Sequence, residues 1–188
     1  MQPVAGVVLA AGAGRRFGGP KALALLDGER LVDRSVRTLA AAGCAPLVVV
    51  SGAVPLVVPG SAVVHNPLWD TGMGSSLRAA LVHLAGSPAS AAVLLLVDTP
   101  WVAPEAVTRL LHAYAAGAVA AQAVYEGTPG HPVLLDRSVW DDVAALAVGD
   151  RGARAWLRAH PELVSAVPCD GIGSPRDVDR AADLTDRA

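Results

Sequence analysis

The sequence predicts an α/β fold of three layers, an open and mostly parallel sheet with helices on both faces. Short apolar runs of strand length alternate with stretches of helical period. The first four runs are rich in Val or Leu and show no polar–apolar alternation, as expected of strands covered on both sides. The βαβα order that results gives a parallel sheet.

Taken in order, residues 4–10 form the first strand. The opening MQPVAGVVLAAGAGRR has no basic segment ahead of its apolar run, so it reads as a strand and not a signal peptide. Residues 31–42 carry apolar side chains at helical spacing and stop at Gly43, a helix-ending residue. Strands follow at 46–51 and 62–65, then a helix at 73–85 and a strand at 92–97. Pro104 suits the first turn of a helix over 104–116, which Gly117 ends. A fifth strand spans 118–124. In the final third, 132–135 is an extra strand, 138–146 and 152–160 are helices, and 163–168 is a strand. A last helix runs from 175 to about 184.

The chain has 188 residues, enough for one domain with a sizeable core. That core is built from Ala, Val and Leu, because 53% of residues are hydrophobic and only 4% aromatic. A net charge of −2 without Lys/Arg runs argues against a nucleic-acid scaffold. No run of 18 apolar residues occurs, so no membrane span is expected. Cys44 and Cys169 have no metal-like spacing and read as two buried thiols. A cytoplasmic protein follows. Of the 15 basic residues, 14 are Arg and one is Lys, at position 21 beside a Gly-rich loop.

Ligands of open α/β sheets bind beyond the carboxyl ends of the strands. One rim therefore gathers residues 11–21, 66–76, 98–101 and the segment near Gly130. In LAAGAGRRFGGPKAL, residues 9–23, Gly12, Gly14, Gly18 and Gly19 permit close backbone approach, and successive N–H groups can cradle an anion. Arg15, Arg16 and Lys21 add positive charge, so a polyphosphate is the natural guest. A dinucleotide fingerprint fits poorly: the third Gly is displaced and no acid ends the second strand. A Walker loop fits poorly too, because Pro20 precedes Lys21 and Ala22 follows it. A plain flexible turn is the remaining reading.

The loop resembles the signature of nucleotidyltransferases of the molybdenum-cofactor cytidylyltransferase and guanylyltransferase type. The resemblance implies a Rossmann-like sheet of the nucleotidyltransferase kind, with the loop wrapped on a triphosphate. By that resemblance Leu9, Ala10, Ala11, Gly12, Gly14, Arg16 and Lys21 take the nucleotide-contacting positions. HNPLWDTGMGSSLRAAL, residues 65–81, is similar to the cytidylyltransferase branch and brings in Asn66, Gly74, Ser75 and Ser76. Ser75 and Ser76 sit in a first helical turn, where N–H groups hold a base, ribose or phosphate, or where the hydroxyls simply cap the helix.

Asp98 ends an apolar strand in LLLVDTPWV, placed either to bind Mg²⁺ beside phosphate oxygens or to cap the next turn. The resemblance implies the metal. GHPVLL and GDRGAR match the same branch, placing His131 toward the acceptor and Asp150 as a charge or metal contact. A structural role for His131 is the alternative. Arg151 and Arg154 either neutralise an acidic acceptor or lie solvated.

The sequence departs from the family at GIGSPRD, residues 171–177. Gly173 occupies a position where the family often has an Asp or Asn as second metal contact. Asp170 or Asp150 is left to substitute, or the site keeps one protein ligand, with an altered metal requirement, acceptor or activity. The implied reaction is Mg²⁺-dependent transfer of a nucleotide from CTP to molybdopterin, with pyrophosphate released and a molybdenum hydroxylase as downstream partner. Other possibilities are a nicotinamide-dependent reductase of the nicotine-blue type on the same scaffold and a non-catalytic nucleotide-binding accessory protein. A guanylyltransferase acting on a phosphorylated three-carbon acid is a variant of the first.

Overall fold

The computed structural model describes residues 3–185. Its main sheet has seven strands: β1 (Val4–Leu9), β4 (Leu47–Ser51), β5 (Ala62–His65), β6 (Ala91–Leu96), β7 (Ala120–Tyr125), β8 (Thr128–Asp136) and β9 (Val164–Pro168). Their order is β5-β4-β1-β6-β8-β7-β9, and only β8 runs against the rest.

Period-two side-chain alternation splits β1 between two cores. Val4 and Val8 face α1 (Leu31–Ala41) and α3 (Pro104–Ala115), through Leu31, Val36, Leu39, Val107 and Leu110. Ala5, Val7 and Leu9 face α2 (Met73–Ala85), α4 (Trp140–Leu146) and α5 (Arg154–Ala159), through Leu77, Leu84, Val143 and Trp156. Both sheet faces are covered, which is why the first strands carry continuous apolar runs. Cys44 and Cys169 are both buried and unpaired, and burial pushes the Cys44 thiol up to about 12.

Four elements differ from the sequence expectation. Strand β8 starts at Thr128 and not at 132, because its first residues pair with β7 across a tight turn at Glu126 and Gly127, both at positive φ. The Thr-Pro-Gly-His start has no apolar pattern to reveal it. A two-stranded hairpin, β2 (Leu25–Leu26) and β3 (Glu29–Arg30), turns at Asp27-Gly28, again at positive φ. The Asp-Gly pair was its available signal.

The helix expected over 175–184 is absent, and only Ala181–Leu184 makes a 3-10 turn. Its residues bond across the chain. The Ser174 N–H donates to the Trp101 carbonyl (3.0 Å) and the Val178 N–H to the Asp98 carbonyl (2.8 Å). The Val178 side chain is fully buried, so tertiary pairing overrides local helical period here. The helix expected over 152–160 begins at Arg154, because Gly152 sits at φ +52.

Candidate active site

The carboxyl ends of β1, β5 and β6 feed one cleft of about 430 Å³. Its first wall is the loop after β1. There the Gly18 and Gly19 N–H groups both donate to the Gly14 carbonyl, at 2.9 and 3.1 Å. Gly14 has φ +61, and a Cβ there would run into the Gly19 carbonyl, so this fold of the loop requires glycine. Leu9, Ala11, Gly12, Gly14, Arg16 and Lys21 all line the cleft. Ala10 is buried and does not.

Lys21 opens a short 3-10 turn after Pro20 and points its ammonium into the cleft. Nζ donates to Asp98 Oδ2 at 2.9 Å and stands 3.8 Å from Asp179 Oδ1. Arg16 donates to the other Asp179 oxygen at 2.7 Å. The Lys21 side chain is only 15% exposed, whereas that of Arg16 is 79% exposed. The Arg16 pair is therefore solvent-screened and weak, and Arg16 is free to swing to a ligand.

The second wall comes from the loop after β5. Asn66 is buried, and its amide works inside the loop. Nδ2 donates to the Ser75 and Ser76 hydroxyls (2.8 and 3.0 Å), and Oδ1 accepts from the Leu68 N–H (3.0 Å). The Ser75 hydroxyl donates to the Leu68 and Gly72 carbonyls. Of this group only Ser76 lines the cleft, and Asn66 and Ser75 hold it there. Gly74 packs on the backbone at Ala147, where a Cβ would collide with the carbonyl. Trp69, Asp70 and Met73 complete this wall and were not singled out from the sequence.

Asp150 lines the cleft, while Arg151 and Arg154 do not. His131 also lies off the wall, with Nδ1 3.5 Å from the Leu94 carbonyl. Burial holds its imidazole below the ordinary histidine range. Asp170 accepts from the Glu126 N–H at the β7–β8 turn and takes no part in the cleft.

Gly173 has a backbone task. It bridges to Val102 at φ +65, and a Cβ would strike the Trp101 carbonyl. The carboxylate that the C-terminal segment does bring to the cleft is Asp179, six positions on. The helical period of its segment hides it in the sequence.

The donor set suits a hard divalent cation. Asp98 and Asp179 bracket a cationic group already, the Lys21 ammonium, and Mg²⁺ commonly takes one or two carboxylates with phosphate oxygens and water. Among the described residues no three His, Cys, Asp or Glu side chains gather to hold a metal without a substrate. No helix among them is long and apolar enough to cross a membrane.

The chain is similar to known proteins along most of its length. The chain is 37% identical to the nicotine blue oxidoreductase of Paenarthrobacter nicotinovorans, over 94% of this chain and 92% of that protein. It is 32% identical to the molybdenum cofactor guanylyltransferase of Rhodobacter capsulatus, over 96% and 95%. The crystal structure of Rv0371c from Mycobacterium tuberculosis H37Rv superposes with a TM-score of 0.84 at 28% identity, covering 98% of this chain and 96% of that one. A manganese complex of the same protein superposes with a TM-score of 0.81. The model of the MobA-like NTP transferase domain matches residues 6–164, and the chain belongs to that nucleotidyltransferase family.

Proposed function

We propose that this enzyme transfers a nucleoside monophosphate from a nucleoside triphosphate, CTP first among them, to the phosphate of a molybdopterin-like acceptor. The carrying observation is the convergence of the Gly-rich loop, Arg16 and Lys21 with Asp98 and Asp179 on one cleft. A phosphate oxygen of the acceptor attacks the α-phosphorus, and the bond to the leaving pyrophosphate breaks. The attacking group is already an anion, so the reaction needs orientation and charge neutralisation more than a general base. Lys21 and Arg16 leave their carboxylates for the phosphates, and loop N–H groups hold the chain of phosphates in line. Asp98 is the primary carboxylate toward Mg²⁺, with Asp150 in reach of the acceptor side. Mg²⁺ supplies the remaining neutralisation of phosphate charge. Ser76, set by Asn66, faces the nucleoside. In this reading the enzyme is cytoplasmic and delivers its product to a molybdenum hydroxylase.

The 37% identical relative is named a nicotine blue oxidoreductase and favours a second, oxidoreductase reading, which on this scaffold would be NAD(P)H-dependent reduction of a quinoid pigment. The displaced third glycine of the loop weighs against a dinucleotide there. One experiment separates the readings. The protein is incubated with Mg²⁺, molybdopterin and CTP, GTP or ATP while pyrophosphate is measured, and in parallel with NAD(P)H and a quinoid acceptor. Pyrophosphate release dependent on the acceptor supports nucleotidyl transfer. Nicotinamide oxidation without pyrophosphate release overturns it, and triphosphate binding with neither turnover indicates an accessory role.

A further inference from the structure

We infer that Lys21 is the exchangeable resident cation of a two-carboxylate site, Asp98 with Asp179, which the ammonium and a divalent cation occupy in turn. The backbone that carries the two carboxylates is tied together and held in place. The Asp98 carbonyl accepts the Val178 N–H at 2.8 Å, so Asp179 follows directly on a residue tied to Asp98. Val178 is fully buried on one side of Asp179. On the other, the N–H groups of Asp179 and Arg180 both donate to Asp183 Oδ2, at 2.8 and 2.7 Å. Arg176, over the Trp101 ring and bonded to the Asp183 carbonyl, ties down the same segment.

Into this fixed bracket the chain places its only lysine, with the side chain 15% exposed. An ammonium is a compact, strongly hydrated point charge on a flexible stem, closer in kind to a metal ion than a planar guanidinium is. The other 14 cations of the chain are guanidinium groups. Two anions, Asp98 and Asp179, balance two cations, Lys21 and Arg16. An anionic ligand at the Gly-rich loop draws off both cations. It leaves two partly buried carboxylates unpaired, a costly state that a divalent cation relieves. With no anion bound, the ammonium excludes the divalent cation. Triphosphate and metal therefore bind with positive coupling, and the coupling runs through Lys21. Only the coupling rests on the proposed use of a triphosphate; the exclusion of metal by Lys21 does not.

The test titrates Mn²⁺ into nucleotide-free protein and reads the loss of the free-ion electron paramagnetic resonance signal. Lys21→Gln should tighten Mn²⁺ by at least roughly tenfold, since a unit charge a few ångströms from a dication acts on that scale even at the dielectric of water. Lys21→Arg, which keeps a cation, should stay near the parent. Asp179→Asn added to Lys21→Gln should remove the gain. Thermal melting checks that each variant is folded, and Lys21→Met, which keeps the apolar stem, serves if Lys21→Gln is not. Mn²⁺ binding by folded Lys21→Gln, or by Lys21→Met in its place, that is no tighter than the parent's overturns the inference, and so does a gain that survives loss of Asp179. A parallel titration with a non-hydrolysable triphosphate should tighten Mn²⁺ in the parent. Absence of any triphosphate binding there defeats the triphosphate reading alone.

Discussion

The Lys21 ammonium donates to Asp98 Oδ2 at 2.9 Å, joining groups 77 positions apart in the chain. One stands just after the loop that follows β1 and the other just beyond the end of β6, strands that are neighbours in the sheet. The proposed anion-binding and metal-binding ends of the cleft are thus in direct contact. Lys21→Ala should weaken triphosphate binding by about 10- to 100-fold, the range of a charge-assisted hydrogen bond of ~1.5–3 kcal/mol. The fold should survive, because the ammonium sits at the cleft wall. Calorimetric titration with each triphosphate, alongside a melting curve, reads both effects. Equal affinity in parent and variant would remove Lys21 from the phosphate site.

Gly173 should not accept the acidic residue that the family pattern suggests. Its φ of +65 and the Trp101 carbonyl leave no room for a Cβ. Gly173→Asp should lower stability by ~1–3 kcal/mol and leave metal affinity no better than the parent's. Denaturant unfolding and a Mn²⁺ titration check the two halves separately. Tighter metal binding in Gly173→Asp would return that position to the site and displace Asp179.

Asn66 should act through the loop and not by touching nucleotide. Its buried amide satisfies two hydroxyls and one N–H group. Asn66→Ala strands these partners and should cost about 1–3 kcal/mol of stability. Asn66→Asp keeps the acceptor but cannot donate to both serines, so it should also destabilise. Nucleotide affinity should fall in both, in step with the loosened position of Ser76. A variant as stable as the parent but unable to bind would place Asn66 on the ligand itself.

The sheet was legible because its strands are continuous apolar runs, and the Gly-rich loop because its glycines and cations cluster within a dozen residues. Lys21, Asp98 and Asp150 were readable as strand-end or loop residues on one rim. Asp179 was not, since Pro175 through Leu184 has helical period while its N–H groups are spent on Asp98 and on Asp183. Trp69 escaped notice for a related reason. A Cβ on Gly52 would overlap the Trp69 side chain, so a glycine at the end of β4 makes room for the ring against the sheet. No local pattern announces that contact. Asn66 and Ser75 were seen as special, but only the tertiary bonds show that they brace the cleft from behind.

His131 gives a pH signature of the fold. Burial lowers its pKa in the native state below the ordinary 6.5, despite opposing help from the Leu94 carbonyl and the Asp98 charge. The unfolded chain therefore binds this proton at a higher pH than the folded one. Stability is full above the unfolded value and should decline as pH falls through about 6.5 toward the lower native pKa. Replacing the imidazole by a non-titrating amide, His131→Gln, should flatten the dependence between roughly pH 7 and pH 5 relative to the parent. Denaturant midpoints measured across that range, at fixed ionic strength, give the slope in both proteins. An unchanged slope in His131→Gln would show that the carboxylates alone set the acid response. A direct role of the ring in the chemistry would instead appear as an activity loss at pH 8, where the stability of parent and variant is equally free of this proton.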